Sequence, residues 1–130
     1  MKIIYNSIIP FKGYLAINLF GTLFVRKEYK EKIDKTTINH ESIHSEQIKE
    51  MWYIFFYIWY IIEWFIKIPC SWFYEQPLGR HISKVAYKSI SFEQEAYYNE
   101  YDYNYLNNRK KFAWIKRLFK MFDYKLCYKK

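Results

Sequence analysis

The first 26 residues hold short apolar runs rich in β-branched and aromatic side chains. Segments 14–20 (YLAINLF) and 22–26 (TLFVR) read as strands, with Gly21 between them as a turn or bulge. A mixed-charge run, RKEYKEKIDK over residues 26–35, reads as a solvated loop or exposed helix. Thr36 or Thr37 is a suitable N-cap for a helix carrying INHESIHSEQIKEM. The pattern then changes sharply. Residues 51–62 (MWYIFFYIWYII) carry no charge, and Glu63 and Lys67 bracket a further apolar triplet. A spanning helix needs about 20 mostly apolar residues, so this run fits a buried helix or one lying in a membrane interface better than a span. Its Trp and Tyr content suits the interfacial zone.

Pro69 and the Pro77-Leu78-Gly79 triplet are expected to break that helix. A second helical region follows from about Ser83 to Asn108, interrupted near residues 89–91 and containing SFEQEAYYNEYDYNYL. In the tail, Phe112, Ile115, Phe119 and Phe122 recur at helical spacing among Lys111, Lys116, Arg117 and Lys120. That is the pattern of a basic amphipathic helix, with Trp114 as an anchor. The expected fold class is α+β and predominantly helical. A short N-terminal sheet or hairpin precedes an HExxH helix, an aromatic hydrophobic helix, a glutamate-bearing helix and the tail helix. Residues 1–108 form the body and 109–130 the tail.

Composition narrows the picture. The chain has 130 residues, a size for one domain, and 24% of them are aromatic, which excludes intrinsic disorder. Two cysteines, Cys70 and Cys127, exclude a four-cysteine zinc module and a disulfide framework; free, inert thiols in a reducing compartment are expected. The net charge of +8 lies in the tail: residues 109–130 hold nine basic residues and one acid, whereas residues 1–108 hold 12 of each. The tail is therefore expected to meet an anionic partner, with a membrane surface favoured over nucleic acid. The polar interruptions at Asn6, Ser7, Pro10 and Lys12 argue against a secretory signal, so an intracellular protein is expected, associated with the cytoplasmic membrane through its tail.

The chemistry lies in His40-Glu41-Ser42-Ile43-His44. On a helix, residues four apart share a face, so both imidazoles can reach one Zn²⁺. Glu41, beside the first histidine, is placed to act as general base on a water. A catalytic zinc takes three protein ligands, and the third has to come from elsewhere. His81 is one candidate; the carboxylates Glu93 and Glu95 on the second helical region are others. Arg80 and His81 lie where they could meet an oxyanion or a substrate carboxylate, or simply form a loop surface. Glu63 is either at a helix surface or a buried carboxylate.

HESIH followed by a helical E-x-E-A segment resembles the gluzincin zinc metallopeptidases, closest to compact, minimal members, over about residues 14–108. The resemblance implies a third ligand on a second helix, a small residue three positions on and an Asp four positions on. Glu93 fits that frame with Ala96 in the small place, although Tyr97 stands where the Asp would be. Glu95 gives the alternative register, with Tyr98 in the small place and Asn99 in the Asp place. The resemblance further implies a hydrolase that cleaves peptide bonds in an extended segment held along a strand edge from residues 14–26. The sequence leaves two other readings open: a zinc-stabilised scaffold without turnover, and a membrane-binding module.

Overall fold

A computed structural model describes residues 1–73 and 81–127. Among these described residues, three strands, β1 (Lys2–Asn6), β2 (Ala16–Leu19) and β3 (Thr22–Arg26), precede six helices. These are α1 (Lys35–Glu50), α2 (Ile54–Phe73), α3 (Ile82–Ser89), α4 (Ser91–Asn99), α5 (Tyr105–Asn108) and α6 (Tyr124–Cys127). The class is the expected one, α+β with helix predominant. The sheet order is β1-β3-β2, with β1 parallel and β2 antiparallel to β3. β2 is therefore an edge. Phe20 and Gly21 join β2 to β3 and both have positive φ, 53° and 81°, as a tight hairpin turn of matching twist requires. Asn18 fixes the sheet to α1 by donating from Nδ2 to the Glu41 carbonyl at 2.8 Å and to Ser45 Oγ at 2.9 Å.

α1 starts slightly earlier than expected. Asp34, not Thr36 or Thr37, is the cap, accepting from the Thr37 amide at 2.7 Å. Its carboxylate is the stronger acceptor for the exposed amides of the first turn. Trp52 and Tyr53, both in left-handed backbone conformation, separate α1 from α2. α2 then continues through Pro69 instead of ending there. Proline removes only one intrahelical hydrogen bond, and its exposed position leaves the ring room. The triplet at residues 77–79 lies outside the described residues. The second helical region is broken at Ile90, as expected, but α4 ends at Asn99 and only the single turn of α5 follows.

The core gathers Ile48, Phe56, Ile90, Phe92 and Trp114, with the Phe56 and Phe92 rings stacked at 4.5 Å. Trp114 belongs to the tail, so the tail packs into the same core as the body. It is not one continuous amphipathic helix. A 3₁₀ turn at Ala113–Arg117 and the short α6 are separated by a turn and irregular chain. Trp114 and Phe122 turn inward against different partners, Phe92 and Tyr98, which a straight helix on a surface does not allow. α2 is long and apolar enough to cross a membrane, by length and composition.

Candidate metal centre

The spacing of the HESIH segment does what helical geometry requires. His40 and His44 lie one turn apart on the buried face of α1, with their Nε2 atoms 3.1 Å apart. α4 crosses that face and brings in Glu93, which is 2% exposed. Its Oε2 lies 3.4 Å from His40 Nε2 and its Oε1 3.3 Å from His44 Nε2. One ligand atom from each of the three residues lies within 4.8 Å of the others. Two breaks in the chain make this possible. The Trp52-Tyr53 link reverses the chain after α1, and Ile90 re-aims it between α3 and α4.

The outer nitrogens of both rings are held. His40 Nδ1 lies 2.8 Å from Glu100 Oε2, and His44 Nδ1 lies 2.7 Å from Gln47 Oε1. Gln47 Nε2 donates to the Phe92 carbonyl at 3.1 Å and to Glu95 Oε2 at 3.0 Å, so its oxygen is the end that faces His44. Both acceptors call for N–H at Nδ1, which turns the Nε2 lone pairs toward Glu93. Tyr60 donates its hydroxyl to Glu93 Oε1 at 2.7 Å. Glu93 Oε2 is buried and has no hydrogen-bond partner among the described residues.

Two lone pairs and a carboxylate that converge in this way call for a cation. The donor set, two imidazoles and one carboxylate, is that of a zinc site with a position left for water, and the unpartnered Glu93 oxygen fits it. The electrostatics agree. Burial opposes charge on His40, yet Glu100 and Glu93 outweigh it and push its pKa up to about 10. Burial likewise opposes charge on Glu93, yet His44 and His40 hold it below the usual carboxylate range. A metal bound there competes with protons for the same three groups, so its affinity falls as pH falls.

Glu41 lies on the neighbouring face of α1 and, with His44 and Glu93, lines a cavity of about 820 Å³. Burial raises its carboxyl pKa above the ordinary value, and His44 and His40 pull the other way. The rest of the wall is largely aromatic and aliphatic, including Phe11, Phe56, Tyr57 and Tyr87. Ala16, Ile17 and Asn18 of the edge strand β2 border the same cavity.

The structure thus brings His40, Glu41, His44 and Glu93 together. It takes the other candidate ligands elsewhere. Glu95 is turned away, with its Oε1 2.5 Å from Arg109 Nε and 2.8 Å from the Tyr105 hydroxyl. His81 is an exposed residue at the start of α3, outside the three-residue group, and Arg80 lies outside the described residues. Glu63 is buried rather than at a surface. Sequence reasoning missed Glu100, Gln47 and Tyr60. Gln47, three residues after His44 on one helix, carried a detectable signal; Glu100 and Tyr60 depend on how the elements pack. Compared with known proteins, the chain matches no family model, no curated protein and no solved structure.

Proposed function

We propose that the chain is a zinc-dependent peptidase that cleaves an extended peptide segment, with His40, His44 and Glu93 as ligands and Glu41 as general base. The observation that carries this reading is the convergence of three metal-type donors beside a carboxylate that itself faces a cavity bordered by the edge strand β2. Bound zinc supplies Lewis acidity, which makes water nucleophilic near neutral pH and polarises a carbonyl. The chain's own residues do the rest. The edge of β2 offers backbone hydrogen bonds to an added strand, a mode that reads little sequence, once the Tyr57 hydroxyl gives up the Asn18 carbonyl and the Phe20 N–H. The aromatic wall favours a bulky apolar side chain next to the scissile bond. Glu41 accepts a proton from the attacking water and returns it to the leaving amine nitrogen, so it ends the cycle as it began. Its raised pKa suits both halves of that exchange. Tyr60 fixes the rotamer of Glu93, while Glu100 and Gln47 fix the two rings.

A zinc-stabilised scaffold would keep the same ligands, and Glu41 separates the two readings. Zinc per chain, measured by elemental mass spectrometry on untagged protein, is expected near one and absent in His40→Ala and Glu93→Ala. Hydrolysis of an unfolded protein substrate should fall at least about 100-fold in Glu41→Gln while zinc is retained. Equal activity in Glu41→Gln, or zinc without hydrolysis in the wild type, would reject the peptidase; no zinc in the wild type would reject both readings. Neither reading needs a membrane, and membrane association is a separate inference carried by α2.

A further inference from the structure

α2 is built inside out. Its two charged residues, Glu63 and Lys67, and its one serine, Ser71, are all buried. Its exposed positions are occupied only by Ile, Phe, Trp, Pro and Cys. Ile54, Ile58, Ile61, Ile62, Phe65 and Ile66 are 45–63% exposed. At about 100° per residue they form one stripe about 140° wide along a helix about 30 Å long. A helix on the surface of a water-soluble domain shows the opposite arrangement. An apolar face of this extent marks an interaction site.

The composition along the stripe identifies its occupant. Trp52 and Tyr53 stand at one end and Trp72 at the other, exposed by 77%, 42% and 72%, with isoleucine and phenylalanine between them. Indole and phenol rings beside aliphatic side chains on one face suit the boundary between headgroups and acyl chains, where a helix lies in the plane of the layer. Charge favours an anionic layer, since the chain carries a net charge of +8. Because the opposite face of α2 is committed to α3 and the core, the helix presents one side only.

We infer that the outward face of α2 seats the protein on an anionic lipid bilayer, the helix lying along the surface with Ile58, Ile62 and Phe65 among the acyl chains. This inference does not rest on the peptidase reading. The test is flotation of the full chain with vesicles of phosphatidylcholine and phosphatidylglycerol. Wild type is expected to float. An Ile58→Asp, Phe65→Asp double variant with unchanged circular dichroism should lose binding at least about tenfold. Glu93→Gln should float as wild type does, so that failure of the metal site and failure of docking are separable. Lipids brominated on their acyl chains should quench wild-type tryptophan emission and quench Trp52→Phe, Trp72→Phe less, a readout that needs no charge in the face. Failure of the wild type to float, or equal flotation of the double variant, would overturn the proposal. So would a stable wild-type dimer that ignores vesicles and is split by the two aspartates, since a second copy would then be the occupant.

Discussion

Glu100 shows how a single residue completes the site. The gluzincin resemblance places a supporting Asp four residues after the ligand, where this chain has Tyr97, whose ring stands edge-on to His40 at a centroid distance of 4.6 Å. The carboxylate that holds His40 comes instead one turn later, from the end of α4. A longer side chain at a later position reaches the same nitrogen. Glu100→Ala removes the acceptor that fixes both tautomer and ring angle. Zinc affinity, measured by competition with a chromogenic chelator, should fall about 10–100-fold while saturating zinc still gives one ion per chain. An unchanged affinity would mean that Tyr97 and the backbone alone hold the ring. The histidine pair was legible in the sequence because its spacing is local, whereas Glu93 was singled out from Glu95 and His81 only through the resemblance. Glu100 was not legible, because its distance from His40 depends on the angle at which α4 crosses α1.

At the scale of elements, the link between α2 and α4 explains why a carboxylate is buried in the most apolar helix of the chain. Glu63 Oε1 accepts from the backbone N–H of Ser91 at 2.8 Å, and Oε2 accepts from its hydroxyl at 2.7 Å. Ser91 is the first residue of α4, which has no side-chain cap of its own. Glu63 thus does across space what an N-cap does within a chain, with the helix dipole favouring its charge. It also fixes the start of the helix that carries Glu93 two residues later. Glu63→Ala takes the counter-charge from buried Lys67, whose Nζ lies 4.0 Å from Glu63 Oε1 and keeps only the Leu118 and Lys120 carbonyls, and uncaps α4. It should cost about 3 kcal/mol in chemical denaturation and weaken zinc binding as well. A loss of stability with zinc affinity intact would show that α4 is held in place by its apolar contacts alone. β2, β3, the HESIH helix and the break at Ile90 could be read from the sequence, since turn chemistry and periodicity are local, whereas β1 pairs with β3 across 20 residues and was not singled out. The tail could not. Its helical spacing of aromatic residues is real, but Arg109 is buried between Glu50 and Glu95 and Trp114 against Phe92. That pairing is decided by partners 14 to 59 residues away in the chain, beyond the reach of any periodicity.

For the molecule as a whole, the proposed metal centre would also be a structural tie. α1 bears the sheet through Asn18, and α4 bears the tail through Phe92 and Glu95. The two helices meet where three buried groups would otherwise confront one another across little more than 3 Å. Filling that place with a divalent cation joins the two halves by bonds that the unfolded chain cannot reproduce. Stability should therefore rise with zinc by mass action. Free zinc at about 100 times its dissociation constant is worth about 2.7 kcal/mol, read as an upward shift of the thermal midpoint that a chelator reverses. Glu41→Gln should keep the full shift, because Glu41 is not a ligand, whereas His40→Ala should show none. This pattern separates binding from turnover in one calorimetric series. A shift that survives in His40→Ala would place the zinc elsewhere on the chain. A shift lost in Glu41→Gln would make Glu41 part of the coordination and remove it as the general base.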